Sequence, residues 1–353
     1  MAVDDQVPES RFKYEGHLIF NGLYTTEVES IFDKAESNEA LEARLEDKLP
    51  SLKEKYNGGP RKGYRDMDLS YHLNLEESDS LTSHHKNLAE KLVAKEYLDE
   101  ELGDATTVFS DDKGRVSGKR LDKDNAYIYW LLPKLLMVQG SKPEVETTLS
   151  DLYSSLGLTQ DQQEAYATLR PVEFDKHFLL WLVYRDYIGK DIGKNVSLHS
   201  ISEITIKGGR DFFGESAQVT ESTDILRSTA FIEGLFKNKL PVHLKAIFKV
   251  GGQNLMVDIS KSGRIHILSK EDINSSTKLE RVMIGLHFVS EFTTLRQDWE
   301  FYDPDKKYVP PTFIEELNDV AKDQGAEITF RREIIPELLD KRGEDLEDWD
   351  LDF

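Results

Sequence analysis

Asp66, Asp68, Ser70 and His72 alternate with Met67, Leu69, Tyr71, Leu73 and Leu75, so a strand over residues 67–75 would project the polar set from one face. Two carboxylates and a histidine can hold a divalent metal for phosphodiester hydrolysis. Same-face neighbours on a strand lie roughly 7 Å apart, so another element would have to complete the ligand set. Other candidates fail on geometry. Asp258 and Lys261 are residue types that serve metal-dependent nucleases, but three positions apart on a strand they face opposite ways. Gly214-Glu215-Ser216-Ala217-Gln218 lacks the second glycine of a nucleophile elbow. The stretch from Gly114 to Arg120 is one residue short of a P-loop and has Arg120 where a hydroxyl should meet Mg²⁺. His84 and His85 at a helix start point about 100° apart, which suits hydrated side chains better than one shared ligand. His177 and His287 fall within apolar helical patterns and read as packed core histidines. No catalytic residue and no cofactor is assigned, and the only metal reading is the Asp66, Asp68 and His72 alternative.

Cations at strand spacing offer a second kind of chemistry. Lys207, Arg210, His243, Lys245, Lys249, Arg264 and His266 would line one sheet face as a patch for phosphates, and a flat face suits a nucleic-acid backbone. Residues 199–270 hold ten Lys and Arg against seven Asp and Glu, inside a chain of net charge −21. The plainer interpretation is a solvated sheet face with a Lys245–Asp258 cross-strand pair worth less than about 1 kcal/mol. That face lacks the exposed aromatics on which unpaired bases stack.

The far end carries a third candidate. Glu344, Asp345, Glu347, Asp348, Asp350 and Asp352 surround Leu346, Trp349, Leu351 and Phe353. This segment resembles the acidic tips of bacterial and phage single-strand DNA-binding proteins, which end in Phe and dock into basic pockets of partner proteins. The resemblance covers residues 344–353. It implies a partner contact through Trp349, Asp350, Asp352 and Phe353, with aromatic anchors and carboxylates that mimic phosphates. A solubilising tail is the simpler alternative.

Composition sets the bounds. A chain of 353 residues suggests two domains, and 39% hydrophobic content with 17 Phe and 14 Tyr supports a buried core. The acidity argues against coating nucleic acid or anionic membrane with the whole surface. There are no cysteines, which excludes disulfides, zinc–thiolate sites and a cysteine nucleophile. Residues 1–12 lack the basic and apolar regions of a signal peptide. Residues 126–138 form the longest apolar run, too short to cross a bilayer and interrupted by Pro133 and Lys134. A cytoplasmic protein without membrane contact is expected.

The elements that must position these residues are clearest over residues 242–268. Val242, Leu244, Ala246, Phe248 and Val250 alternate with His243, Lys245, Ile247 and Lys249, and Gly251-Gly252 supplies a two-residue hairpin turn. This predicts Phe248 opposite Leu255, Ala246 opposite Val257 and Leu244 opposite Ile259, then Ile259 opposite Ile265 and Val257 opposite Ile267 after Gly263. Lys245, Asp258 and His266 share a row on the other face. Thr277 with Glu280 forms a capping box for a helix that should back the meander. Helices are also expected over residues 26–49, 83–102, 126–138, 143–156, 160–169, 174–188, 223–237 and 311–324, and further strands over 67–75, 201–207, 218–221 and 327–331. The fold class is therefore α+β, with an N-terminal α/β portion, a helical middle and a C-terminal antiparallel β-meander packed on a helix. Its expected segments are an α/β domain over 1–110, a linker or exposed hairpin over 111–124, a helical segment plus α+β domain over 125–335, and an acidic tail over 336–353. The expected function is that of a non-enzymatic binding protein, with the basic face for a phosphate-bearing partner, nucleic acid first, and the tail for a protein partner or for masking that face. A metal-dependent phosphodiesterase or nuclease, and a structural or assembly subunit, are the alternatives.

Overall fold

The computed structural model describes residues 17–26, 38–69, 73, 78, 81–110, 114–157, 169–211, 214–220, 225–268, 278–325 and 332–349. Helices and extensive antiparallel sheet make it an α+β protein. It divides into two units: the first holds Ile19–Leu75 and Lys86–Val172, the second Tyr14–Leu18, Glu76–His85 and Glu173–Phe353.

In chain order the first half contains β1 (His17–Thr26), α1 (Asn38–Lys48), β2 (Lys53–Glu54), β3 (Arg61–Asp66), α2 (Ser83–Ala89), β4 (Leu92–Ser110), β5 (Gly114–Leu131), β6 (Leu135–Gln139), α3 (Lys142–Leu156) and β7 (Leu169–Pro171). In the first unit the strands run in the order β2-β3-β4-β5-β6-β1, with β7 also on β1, and the pairs are antiparallel. Leu45 and Leu49, then Val145, Leu149, Leu152 and Leu156 of α3, pack on Tyr64, Tyr97, Ile128, Trp130, Leu136 and Val138 to form its core. The other side of the same strands is buried as well, through Ala94, Tyr127, Tyr129 and Met137. A strand buried on both faces loses its period-two pattern and reads as a continuous apolar run.

That double burial corrects the helical middle. Residues 126–138 are the end of β5, a turn at Pro133 and the start of β6, not a helix. The helix expected over 83–102 ends at Ala89, and β4 begins at Leu92. β4 and β5 pair antiparallel from Leu92 with Leu131 to Ser110 with Gly114, so residues 114–124, expected within a linker or exposed hairpin over 111–124, lie in β5. The strand expected over 67–75 is not formed at its start: β3 ends at Asp66, and residues 67–69 lie outside any strand. The helix at Lys142–Leu156 matches expectation. Residues 27–37 of the helix expected over 26–49 and residues 160–168 of the one expected over 160–169 lie outside the described residues, and Leu169 begins β7.

The second half contains α4 (Lys176–Tyr187), β8 (Val196–Asp211), β9 (Gly214–Val219), α5 (Thr229–Phe236), β10 (Leu240–Val250), β11 (Gln253–Ser260), β12 (Ile265–Leu268), α6 (Lys278–Glu300), α7 (Pro304–Lys307), α8 (Pro311–Asp323) and α9 (Ile334–Arg342). Its strands run β12-β11-β10-β8-β9. The meander has the predicted register pair for pair, including Phe248 with Leu255 and Val257 with Ile267. Leu244, Ala246, Phe248 and Val250 are buried beneath α4 and α6, where Phe248 meets Phe288 and Phe292 with ring centroids 5.2 and 5.5 Å apart. Residues 334–342, of which 336–342 are expected within the acidic tail, are the helix α9, with Ile334, Ile335, Leu338 and Leu339 buried. Thr277 and residues 327–331 lie outside the described residues.

Candidate functional site

The outer face of the meander brings the expected basic residues together and supplies their counter-ions. Glu203, Lys245, Asp258 and His266 occupy one row across β8, β10, β11 and β12. Lys245 is ion-paired with Glu203, and His243 Nε2 lies 2.6 Å from Asp258 Oδ1. Burial works against the charged form of Asp258, yet the hydrogen bond from His243 and the charges of Arg264 and His266 outweigh it and hold the carboxyl below its usual range. Arg264 Nη2 sits 3.4 Å from His266 Nδ1. Lys207 is exposed at 4.0 Å from Glu215, Lys249 is exposed at the turn end of β10, and Arg210 lies near the end of β8. A next row carries Ile247, Met256 and Leu268, all half-buried. The face therefore supplies counter-ions to Lys245, His243 and Lys207, with an apolar stripe beside its ion pairs.

The acidic end folds back on itself as far as it is described. Trp349 Nε1 donates to Glu344 Oε2 at 3.0 Å, and the Arg342 guanidinium lies 5.5 Å from the Trp349 ring centre. Arg342 also donates to the backbone oxygens of Asp305 and Tyr308 at 2.8 and 2.6 Å. Asp350, Asp352 and Phe353 lie outside the described residues. In the first unit Asp66 is ion-paired with buried Lys95. Asp68 lies just past β3, so Asp66 and Asp68 do not share a strand, while Ser70 and His72 lie outside the described residues.

Two groupings in the second unit were missed by sequence reasoning. The first is a cluster of imidazoles. Glu291 stands one helical turn after His287 on α6, at the i,i+4 spacing that puts both side chains on one face. The start of α2 brings His84 and His85 to them: the His84 and His287 rings lie 4.3 Å apart between centroids, and His85 Nε2 is 3.2 Å from His287 Nδ1. Burial, reinforced by the neighbouring imidazoles, pushes His85 down to about 4 and His287 to about 3. Both rings are neutral at pH 7. The only signal in the sequence was the HxxxE spacing at 287 and 291, which is too common in helices to single out.

The second is a cleft of about 410 Å³ where the end of α4 and the segment after it meet the residues following α6. Its lining mixes Tyr184, Tyr302, Tyr308 and the buried Trp181 with Arg185, Lys190, Lys306 and the carboxylate of Asp305. Arg185 stacks 5.6 Å over Trp181 and donates to the carbonyl of Asp191, and Tyr302 meets Trp181 edge-on at 6.1 Å. Lys190 and Lys306 are exposed, with Lys306 2.8 Å from Asp303. Aromatic faces and cations lining one cleft of this size are suited to a ligand with both flat rings and negative charge.

No protein-family model matches the chain, and no curated protein is significantly similar to it. No helix among the described residues is long and apolar enough to cross a membrane.

Proposed function

We propose that this chain is a non-enzymatic binding protein for a phosphate-bearing partner with unpaired bases, a single-stranded nucleic acid, and that the contact is made in the aromatic and cationic cleft of the second unit. The observation that carries the reading is the joint lining by Trp181, Tyr184, Tyr302 and Tyr308 with Arg185, Lys190 and Lys306. Base stacking on aromatic rings contributes about 1–3 kcal/mol per base, and nearby cations recruit the backbone. Among its described residues the meander face lacks exposed aromatic rings beside its cations, and Glu203 and Asp258 engage Lys245 and His243 there.

Fluorescence anisotropy of labelled single-stranded DNA and RNA at two salt concentrations tests the proposal. Binding should weaken with salt, and both Tyr302→Ala and the pair Lys190→Glu, Lys306→Glu should lower affinity about tenfold or more. Affinity indifferent to these changes, or no binding at low salt, overturns it. A second reading, an assembly subunit that buries the meander's outer face against another polypeptide, is favoured by the Ile247, Met256 and Leu268 stripe flanked by ion pairs. Absence of nucleic-acid binding together with self-association in light scattering would select that reading.

A further inference from the structure

The imidazole cluster is built from four stretches of the second unit. Thr82 to His85 come from the start of α2, Asn195 precedes β8, Gly251 forms the β10–β11 turn, and His287 and Glu291 lie on α6. His84 Nε2 and His287 Nε2 each lie 3.9 Å from Glu291 Oε1, and the three ligand atoms fall within 4.8 Å of one another. Asn195 Nδ2 donates to Glu291 Oε2 at 2.8 Å, which turns the other carboxylate oxygen toward the imidazoles. Gly251 has φ +55, and a Cβ there would stand 3.4 Å from the His287 ring and 3.6 Å from His85. The positive φ favours glycine at this turn, and the rings stand at ordinary contact distance from it.

We propose that His84, His287 and Glu291 bind a divalent first-row transition-metal ion of the zinc class, as a three-ligand site with a further coordination position open to solvent. Imidazole nitrogens and one carboxylate are donors that such ions favour, whereas Ca²⁺ and Mg²⁺ take sets dominated by oxygen. Metal–nitrogen bonds of about 2.0 Å place tetrahedral ligand atoms roughly 3.3 Å apart, so the widest spacing must close by about 1.5 Å. His84 can supply that movement, since its side chain is 55% exposed.

Taking the ion requires the hydrogen bonds behind the ligands to change. Thr82 N–H donates to His85 Nδ1 at 3.0 Å, so His85 carries its proton on Nε2 and donates to His287 Nδ1. For His287 Nε2 to take the ion, its proton must reside on Nδ1 and be donated to His85 Nε2. His85 then carries its proton on Nδ1 and donates to Thr82 Oγ1, 3.1 Å away, and the Thr82 N–H gives up its hydrogen bond to His85 Nδ1. Each ring keeps one proton throughout. His85 is therefore a positioning residue that orients the ligand His287, as the outer partners of metal-bound histidines do.

Untagged full-length protein, stripped with a chelator, should be titrated with Zn²⁺ by calorimetry and with Co²⁺ by visible absorption. One ion per chain, with the strong visible bands of four-coordinate Co²⁺, is expected. Exposed His84 can be replaced without disturbing the core, so His84→Ala should keep the circular dichroism of the parent while weakening Zn²⁺ binding by about a hundredfold, and Glu291→Gln should do the same. His85→Gln should weaken it about tenfold and alter the Co²⁺ bands. Absence of stoichiometric binding to the parent protein, or binding that His84→Ala and Glu291→Gln leave unchanged, overturns the proposal. Neither readout depends on nucleic acid.

Discussion

Single residues in this protein act through the partners that burial forces on them. Glu100 of β4 is 3% exposed and accepts from Arg61 three times, from the backbone N–H and Nε at 3.0 Å and from Nη2 at 2.7 Å. The hydrogen bonds from Arg61 outweigh burial and hold the carboxyl below its ordinary range. Because the folded-state value is depressed, the stabilisation is present above the unfolded carboxylate pKa, and it is lost as pH falls through the folded value. Glu100→Gln should therefore cost about 1–3 kcal/mol at neutral pH, the Arg61 side being partly exposed, and the difference from the parent should shrink toward zero in strong acid. Urea unfolding at a series of pH values checks this, and a gap that widens in acid would contradict it. The same logic governs Lys245 and His243. Their types suggested a phosphate patch, but Glu203 and Asp258 determine how much positive charge is left for a partner.

At the level of elements, turn chemistry and the number of buried faces explain which segments were legible. The meander followed from alternation plus Gly251-Gly252, because one face is buried and the other is not. The helix at Pro311–Asp323 followed for the same reason, whereas Lys176–Tyr187 buries the unbroken run His177–Val183. In the first unit Tyr64 N–H donates to Pro50 O at 2.9 Å and Leu52 N–H to Tyr64 O at 2.8 Å, which ties β3 to the chain leaving α1. Gly63 makes that approach possible. Its φ is +134, and a Cβ would stand 2.7 Å from the carbonyl oxygens of Pro50 and Ser51. Gly63→Ala should cost about 2–4 kcal/mol by combining backbone strain with this clash. Gly252→Ala, at φ +88 with open space around it, should cost only about 1–2 kcal/mol. Thermal unfolding of the two variants compares them, and equal losses would refute the role given to the Gly63 approach.

Across the whole molecule the net charge of −21 is the dominant long-range term. Like charges spread over a folded chain repel, and salt screens them over a Debye length of about 10 Å at 0.1 M. The melting temperature should rise between low salt and about 0.2 M NaCl, as screening relieves repulsion by more than it weakens exposed ion pairs such as Lys306–Asp303. A fall over that range would mean that ion pairs contribute more to stability than net repulsion removes. The same acidity limits the proposed nucleic-acid contact to a local site, since only a cleft lined by cations can offset the surrounding field.

The sequence by itself determined the acidity, the absence of cysteine chemistry, the α+β class, the meander and the helix at Pro311–Asp323, because period and turn residues are local properties. Tertiary structure decided that residues 126–138 are strands, since burial on both faces erases the period that separates strand from helix. It also brought His85 beside His287 and Trp181 beside Tyr302. Contacts between residues more than a hundred positions apart are set by how elements pack, and no local pattern encodes them.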